Sequence, residues 1–243
     1  MSAINGPVRK GTWRNDGMLR AMLTAHSGCE NTEMNSLAYL KKAQEVRPDA
    51  IEVDVRVNSD GMAVLDHSGG AATPVPFRQA CMTVAGTRIM INADLKQKGI
   101  EEVVLQTALS CGLDSGDLIF TGSLADPAGM SRRIGDACVF ANPEEFDPAF
   151  YHRTDEEEVR ESASQVLSAV RACGFDTVNI NYRYCTDEFM FACFEKGVRI
   201  SLWTVDDENA AKRFLAGRYA SLIVNITTNY PGMLRRVMKK CGG

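Results

Sequence analysis

The sequence has no excess of positive charge: 27 lysines and arginines stand against 31 aspartates and glutamates, which gives a formal net charge of −4. Proteins that bind nucleic acid usually carry a basic patch that follows the phosphate backbone. The composition therefore gives no support to nucleic-acid binding. A small phosphate-bearing ligand would have to be held locally, by a metal ion and a few cationic side chains.

Long apolar runs are also missing. No stretch reaches the roughly 18 apolar residues expected of a membrane-spanning helix, and the Met1–Arg14 segment is polar and charged throughout. A secretory signal would need an apolar core near the N-terminus. The sequence thus predicts neither a membrane span nor export, and we expect a cytoplasmic protein.

The cysteines show none of the closely spaced patterns that bind zinc or form disulfide frameworks. The chain has eight of them, none in C-x-x-C spacing, and most lie within helix-like or strand-like stretches. We predict that all are reduced, as in a cytoplasmic protein. They are Cys29, Cys81, Cys111, Cys138, Cys173, Cys185, Cys193 and Cys241.

What the sequence does contain is a regular alternation of apolar strand-like segments and amphipathic helix-like segments. Eight strands, each followed by a helix, predict an α/β protein with a TIM (β/α)8 barrel, in a single domain over residues 1–243. No linker rich in Pro, Gly or Ser divides the chain. The predicted strands are Met22–His26, Ala50–Val57, Arg88–Asp94, Asp117–Thr121, Ala137–Ala141, Thr177–Asn181, Arg199–Thr204 and Ser221–Ile226. The predicted helices are Ser36–Glu45, Phe77–Ala85, Glu101–Cys111, Ser123–Ile134, Asp155–Cys173, Asp187–Lys196, Glu208–Ala216 and Pro231–Lys239.

Two acids on the second predicted strand point to a metal site. Glu52 and Asp54 are two residues apart, so both face one side of the strand while their apolar neighbours face the other. Adjacent carboxylates are costly unless a cation lies between them, and Mg²⁺ and Ca²⁺ prefer such oxygen ligands. An exposed edge strand is the alternative, but the flanking Ile51, Val53 and Val55 favour a buried barrel strand.

Histidine is scarce, with three in the chain, and two of them bracket this acid pair. His26 ends the first predicted strand. The turn signal Asp60-Gly61 would fold Met62–Leu65 back along the second strand and bring His67 to the barrel mouth. Imidazoles titrate near neutrality and exchange protons, so the set predicts metal-assisted acid–base chemistry. His152, in the loop after the fifth strand, is expected to be a solvated loop residue.

Further polar residues fall at the C-terminal ends of predicted strands, where active sites form in this fold. Asp94 ends the third strand and Lys96 follows it, although a solvated loop lysine is the simpler alternative. Trp203 falls near the end of the seventh strand, where it could wall a pocket or belong to the core.

With these residues identified, the sequence resembles the glycerophosphodiester phosphodiesterase family. That family has a His-Arg-Gly, a Glu-Asn-Thr, a Glu-x-Asp, and a second His after a Lys/Ser-Asp-Gly turn, followed by Glu-x-Lys, Trp-Thr-Val and Thr-Asp-x-Pro. The matching segments here are His26-Ser27-Gly28, Glu30-Asn31-Thr32, Glu52-Val53-Asp54, Ser59-Asp60-Gly61, His67, Asp94-Leu95-Lys96, Trp203-Thr204-Val205 and Thr228-Asn229-Tyr230-Pro231. Each segment is short, but the ordered set spans most of the chain.

The resemblance implies a TIM barrel that hydrolyses phosphodiesters with one divalent cation, Mg²⁺ or Ca²⁺. By resemblance, the residues would have these roles: Glu52, Asp54 and Asp94 would ligate the metal, His26 and His67 would be general base and general acid, and Lys96 would contact the phosphate. Ser27, Glu30 and Trp203 are placed among the substrate contacts, with a bond to the loop backbone left open for Glu30.

Three positions depart from the family pattern. Ser27 replaces an arginine that is a natural bidentate phosphate clamp, which is expected to weaken binding or shift the choice of substrate. Asp94 is one methylene shorter than the usual glutamate, and so draws the metal closer to the third strand. His67-Ser68-Gly69-Gly70 replaces a common His-Asp, and the insertion that often follows is largely missing, which predicts a more open pocket.

Three functions remain at this point. The leading one is hydrolysis of glycerophosphodiesters to glycerol 3-phosphate and an alcohol. The second is a related phosphodiesterase acting on a lysophospholipid or a sugar phosphodiester, since sphingomyelinase-D-like enzymes share the barrel and its acidic pattern. The third is a non-catalytic barrel that binds a phospho-ligand, because this fold serves many roles.

Overall fold

The computed structural model describes residues 20–130 and 134–242, and its eight parallel strands form a nearly closed barrel. The parallel strands are β1 Met22–Ala25, β2 Ala50–Val57, β5 Met90–Leu95, β6 Leu118–Gly122, β7 Cys138–Val139, β8 Thr177–Asn181, β9 Arg199–Trp203 and β10 Ile223–Thr228. They run in the order β7-β6-β5-β2-β1-β10-β9-β8, and a bridge between Ala141 and Val178 connects the two ends. The predicted TIM barrel is therefore confirmed. Residues 1–19 of the predicted domain lie outside the described ranges.

The helices surround the barrel, and several begin at side chains that cap the free backbone N–H groups of their first turn. The Ser36 side chain accepts a hydrogen bond from the backbone amide of Tyr39. The Asp155 side chain accepts from the amides of Glu157 and Glu158, and the Asp207 side chain accepts from the amide of Ala210. No helix in the described ranges is long and apolar enough to cross a membrane. The helices are α1 Leu37–Val46, α2 Phe77–Val84, α3 Glu101–Ser110, α4 Pro127–Met130, α5 Glu156–Ala172, α6 Asp187–Lys196, α7 Glu208–Ala216 and α8 Pro231–Cys241.

Helix α4 differs most from its prediction, because it begins four residues after the predicted start at Ser123. The amides of Leu124 and Ala125 are bound by the carboxylates of Glu145 and Glu101, at 3.2 and 2.8 Å, so they do not start a helix. Pro127, which lacks an N–H, occupies the first helical position instead. Residues 131–133 of the predicted helix lie outside the described part.

The interior of the barrel is layered because alternate residues of each strand point inward. Five buried apolar side chains fill the end at which the strands begin, and they are Met22, Ala50, Met90, Ile119 and Phe140. Two residues further along, the inward positions are polar and buried, with Thr24, Glu52, Asn92 and Thr121 as examples. The apolar residues between them face the helices and form the main core. The barrel thus has an apolar floor and a polar mouth.

A hairpin after β2 has the predicted form. Strand β3, Ala63–Leu65, pairs antiparallel with β2, and β4, Val75–Pro76, extends the ribbon without having been predicted. The Asn58 side chain accepts from the amides of Asp60 and Met62, and Gly61 has the positive φ of 76° that this turn needs. The chain therefore returns to the barrel mouth just before His67.

No disulfide joins any of the eight cysteines, all of which lie in the described ranges. Cys29, Cys81, Cys185 and Cys193 are buried among apolar side chains, and burial raises the pKa of each of these thiols. A buried thiol that remains protonated behaves as a small apolar group. These four cysteines are therefore part of the packing rather than of a reactive site.

Candidate active site

Three carboxylates converge at the mouth of the barrel. Asp54 of β2 and Asp94 of β5 are direct register partners, and Glu52 lies two residues before Asp54 on the same inward face. One oxygen from each residue lies within 4.8 Å of the other two. Glu52 and Asp54 are only 8% and 2% exposed. The alternative of a solvated edge strand is therefore wrong, because β2 is a buried central strand.

This concentration of negative charge is only partly neutralised by the protein itself. Burial, followed by repulsion from Asp94 and Asp54, holds the pKa of Glu52 well above its ordinary value. Burial likewise raises the pKa of Asp94. The ammonium of Lys96 lies 2.6 Å from Asp94 Oδ2 and 2.9 Å from Asp54 Oδ1. Among the described residues, no ion pair reaches Glu52, so the cluster retains a capacity for a further cation.

Neutral side chains orient the two aspartates. Asn35 Nδ2 donates to Asp54 Oδ2 at 2.7 Å, and Asn35 Oδ1 accepts from the Asp54 amide at 3.0 Å. The Ser27 hydroxyl donates to the same Asp54 oxygen at 3.4 Å. On the other side, the Thr121 hydroxyl lies 3.2 Å from Asp94 Oδ1. Each aspartate therefore has one oxygen bound to a neutral group and the other bound to Lys96.

Backbone packs closely against the cluster at Gly122, the last residue of β6. Its φ is 77°, a conformation that L side chains rarely adopt, and a Cβ there would overlap Asp94 Oδ1 and the carbonyl oxygen of Leu95. The missing side chain is what leaves room for the Asp94 carboxylate.

His26 follows β1 and is held by a short chain of hydrogen bonds. Its Nδ1 lies 2.9 Å from Asn229 Oδ1. The Asn229 amide nitrogen donates to Asp206 Oδ2 at 2.7 Å, which turns the Asn229 oxygen towards the imidazole. An oxygen accepts, so Nδ1 carries the proton in the neutral ring and Nε2 is the free base.

His67 is exposed on the loop that follows β3. The side chain of Asp66 accepts from the amides of Ser68, Gly69 and Ala71, which folds the loop around the carboxylate. The Arg56 guanidinium binds the His67 carbonyl oxygen through two nitrogens, at 3.1 and 3.3 Å. The loop backbone is thereby fixed while the imidazole stays accessible.

These groups share one cavity of about 370 Å³. The predicted site residues that line it are His26, Glu52, Asp54, His67, Asp94, Lys96 and Trp203. The structure therefore brings together seven of the nine residues that the sequence placed in the site. His152 is exposed on a 3-10 turn and is not among the lining residues.

Ser27 and Glu30 do not reach this cavity, which does not support their placement as substrate contacts. Ser27 is fully buried and bonds to Asp54. The Glu30 carboxylate accepts a hydrogen bond from the Gly232 amide at 3.4 Å, so its backbone partner lies in the first turn of α8 and not in the loop after β1. Glu30 has a positive φ of 54°, and this turns its side chain towards the start of α8.

Comparison with known proteins supports the fold. No family model matches the sequence, and no curated protein matches it. Among solved structures, a glycerophosphodiester phosphodiesterase from Parabacteroides distasonis is 15% identical, with a TM-score of 0.68 over 92% of this chain and 99% of that one. The corresponding enzyme from Thermotoga maritima is 16% identical, with a TM-score of 0.64 over 89% and 98%. A phosphodiesterase from Oleispira antarctica, in complex with sn-glycerol-3-phosphate, is 13% identical, with a TM-score of 0.64 over 90% and 97%.

The chain has the fold of the solved glycerophosphodiester phosphodiesterases. The resemblance found in the short sequence segments is thus confirmed at the level of the barrel. All three structures match the chain over nearly their whole length, so the likeness extends over the whole barrel.

Glu52→Gln should stabilise the metal-free protein at neutral pH. A carboxylate whose pKa is raised by folding favours the folded state only while it is protonated, and it opposes folding once the pH exceeds its unfolded pKa. We expect a rise in melting temperature of about 3 °C or more at pH 7.5. No rise is expected at about pH 4, where the glutamate of the wild type is protonated and as neutral as the glutamine of the variant. Added Mg²⁺ or Ca²⁺ should raise the melting temperature of the wild type but much less that of the variant. A drop in melting temperature at pH 7.5 without metal would contradict this account.

Gly122→Ala should destabilise the protein and displace Asp94. Gly86→Ala is the matched control, because Gly86 has a φ of 73° but no heavy atom near the added Cβ. Both variants suffer the strain of a left-handed alanine, roughly 1 kcal/mol. We expect Gly122→Ala to lower the free energy of unfolding by about 2 kcal/mol beyond the control and to weaken Ca²⁺ binding, as measured by denaturant titration and calorimetry. Equal losses in the two variants would show that the space beside Asp94 is unimportant.

Proposed function

We propose that this protein is a glycerophosphodiester phosphodiesterase, which hydrolyses a glycerophosphodiester to glycerol 3-phosphate and an alcohol. The observation that carries the proposal is the convergence of three carboxylates, two histidines and one lysine in a single cavity at the C-terminal ends of the strands. The barrel likeness supports it, since one of the similar structures is a phosphodiesterase in complex with sn-glycerol-3-phosphate. A cytoplasmic location is part of the proposal, and cysteines that form no disulfide in the described ranges agree with it.

Glu52, Asp54 and Asp94 would hold one divalent cation, either Mg²⁺ or Ca²⁺. They fit such an ion because they offer only hard oxygen ligands within 4.8 Å of one another, and because the pKa of Glu52 is raised by burial and by its acidic neighbours. A bound cation would offset the charge on the non-bridging phosphate oxygens.

His26 is proposed as the general base. With its Nδ1 proton directed at Asn229, its Nε2 is available to take the proton of the attacking hydroxyl, which belongs either to water or to the substrate. Asn229 is in turn fixed by Asp206, through its backbone amide at 2.7 Å and its side-chain amide at 2.7 Å. The two residues therefore hold the imidazole in one tautomer and orientation.

His67 is proposed as the general acid, and Lys96 as a phosphate contact. An exposed imidazole on a fixed loop is able to protonate the leaving alkoxide and then equilibrate with solvent. Lys96 lines the cavity and its ammonium pairs with Asp54 and Asp94, so a phosphate bound beside these carboxylates would lie near a positive charge. Trp203, at the end of β9, lines the cavity as a substrate contact.

The direct test is an assay of purified protein with glycerophosphocholine and glycerophosphoethanolamine, in Mg²⁺, Ca²⁺ or EDTA, with glycerol 3-phosphate measured by coupled oxidation. We expect metal-dependent product that EDTA abolishes. His26→Ala should lower kcat by about 100-fold or more, because a general base contributes at least that much. His152→Ala is the matched control, since it removes an exposed histidine that does not line the cavity. No product with either metal would refute the proposed function and favour a different phosphodiester or a barrel that only binds its ligand.

Lys96→Met should separate metal binding from catalysis. Removing a positive charge that lies 2.6 and 2.9 Å from two of the carboxylates should tighten Ca²⁺ binding by about 10-fold. The same variant should lose about 100-fold in kcat/KM, because a group that stabilises the phosphate charge is missing. Lys98→Met, at an exposed lysine two residues further on, should change neither quantity. Weaker metal binding in Lys96→Met would indicate that the lysine only maintains the structure of the cluster.

A further inference from the structure

Within the described ranges, two buried side-chain polar atoms have no hydrogen-bond partner, and both belong to residues that line the cavity. They are Glu144 Oε2 and Trp203 Nε1. Burying a polar atom without a partner is costly, so such atoms in a native site usually await a ligand or ordered water. Glu144 Oε2 can accept a hydrogen bond, and Trp203 Nε1 can donate one. The same cavity thus offers a complementary pair of unused groups.

Glu144 is positioned by a chain of hydrogen bonds that runs from β9 through β8 to the loop after β7. The Ser201 hydroxyl donates to Asn179 Oδ1 at 2.8 Å, Asn179 Nδ2 donates to Asn142 Oδ1 at 2.9 Å, and Asn142 Nδ2 donates to Glu144 Oε1 at 3.1 Å. This chain uses one carboxylate oxygen and leaves the other, Oε2, unpaired. The neighbouring Glu145 differs, because its Oε2 already accepts from the Leu124 amide.

Trp203 is also held in place. Its ring meets the edge of the Tyr151 ring in a T-shaped contact, with centroids 6.4 Å apart. The Tyr151 hydroxyl accepts from the Asn181 amide at 3.2 Å, so the tyrosine itself is fixed. The indole therefore has little freedom to turn its N–H towards another protein group.

The two residues flank β8 from either side: Glu144 follows β7, and Trp203 ends β9. Strand β8 is four places from β2 in the eight-stranded order, so it lies across the barrel from Glu52 and Asp54. A substrate whose phosphate is at the carboxylate cluster would extend its organic group towards Glu144 and Trp203.

We propose that Glu144 and Trp203 form a hydroxyl-binding subsite that selects a polyol group, such as glycerol, in the substrate. A phosphate oxygen would be repelled by a carboxylate, and a cationic head group would not pair with an indole N–H. A hydroxyl both accepts from the indole and donates to the carboxylate. The proposal deepens the proposed function and rests on it for the position of the phosphate.

The test uses the two tryptophans of the chain, Trp13 and Trp203. In Trp13→Phe, Trp203 is the sole tryptophan, and its emission reports directly on the indole. Glycerol 3-phosphate and n-propyl phosphate, each titrated in Mg²⁺, differ only in their hydroxyls. We expect glycerol 3-phosphate to bind at least about 10-fold more tightly and to shift the emission to longer wavelength, whereas n-propyl phosphate gives no shift.

Variants of the two residues should abolish the preference without abolishing phosphate binding. In Glu144→Gln the preference for glycerol 3-phosphate should fall by about 10-fold, and Glu145→Gln should keep it. Trp203→Phe should likewise lose the preference for glycerol 3-phosphate, because phenylalanine keeps an aromatic side chain but has no N–H donor. Binding to this variant is measured by calorimetry, since it lacks the Trp203 emission. Equal affinities for the two phosphates, or binding of neither, would overturn the subsite. A retained preference in a protein that hydrolyses no glycerophosphodiester would support the subsite and refute the proposed function.

Discussion

Repulsion among three buried carboxylates is the constraint on which the rest of the barrel mouth depends. Glu52, Asp54 and Asp94 bring their oxygens within 4.8 Å of one another in a part of the protein where charge is poorly solvated. Left alone, such a cluster would protonate or open. The barrel prevents opening because Asp54 and Asp94 are direct register partners on adjacent strands, so their separation is set by the sheet itself.

The surrounding residues partly offset this repulsion and hold the carboxylates in place. Lys96 supplies one positive charge, while Asn35 and Thr121 bind the remaining oxygens of the two aspartates. Gly122 leaves the space that the Asp94 carboxylate occupies. Glu52 receives no ion pair from the described residues and has a raised pKa as a result of burial and its acidic neighbours. The unfavourable electrostatic energy of the folded protein is thus concentrated at the position where a divalent cation would reduce it.

The features that local sequence patterns specify were predictable. Glu52 and Asp54 are linked by the two-residue period of a strand, and His67 is brought to the mouth by the short turn at Asp60-Gly61. The residues that sequence reasoning missed act across long separations. Asn35, which has a positive φ of 56°, binds Asp54 from the loop before α1. Asn229 reaches His26 from the far end of the chain. No local pattern encodes such contacts.

The same distinction explains why some predicted positions differ. The resemblance predicts Ser27 as a substrate contact because it occupies the position of the family's phosphate-binding arginine, but the short Ser27 side chain is fully buried and bonds to Asp54. The sequence does not predict Glu144 because its position depends on a hydrogen-bond chain from Asn179 on β8 and Asn142 in the loop after β7. Helix α4 was overextended because the carboxylates that bind its preceding amides come from distant segments.

The replacement of arginine by Ser27 changes how a phosphate would be held. Since Ser27 is buried and bonded to Asp54, it provides no substitute for a guanidinium clamp. Among the described residues that line the cavity, Lys96 is the one lysine or arginine, and it is already bound to two carboxylates. A metal bound by those carboxylates would compete with Lys96 for their oxygens and so free its ammonium to turn towards the phosphate. In the proposed enzyme, metal and substrate binding would therefore be coupled through the Lys96 side chain, and the affinity for a phosphodiester should depend on the metal more steeply than it would in a site that has its own arginine.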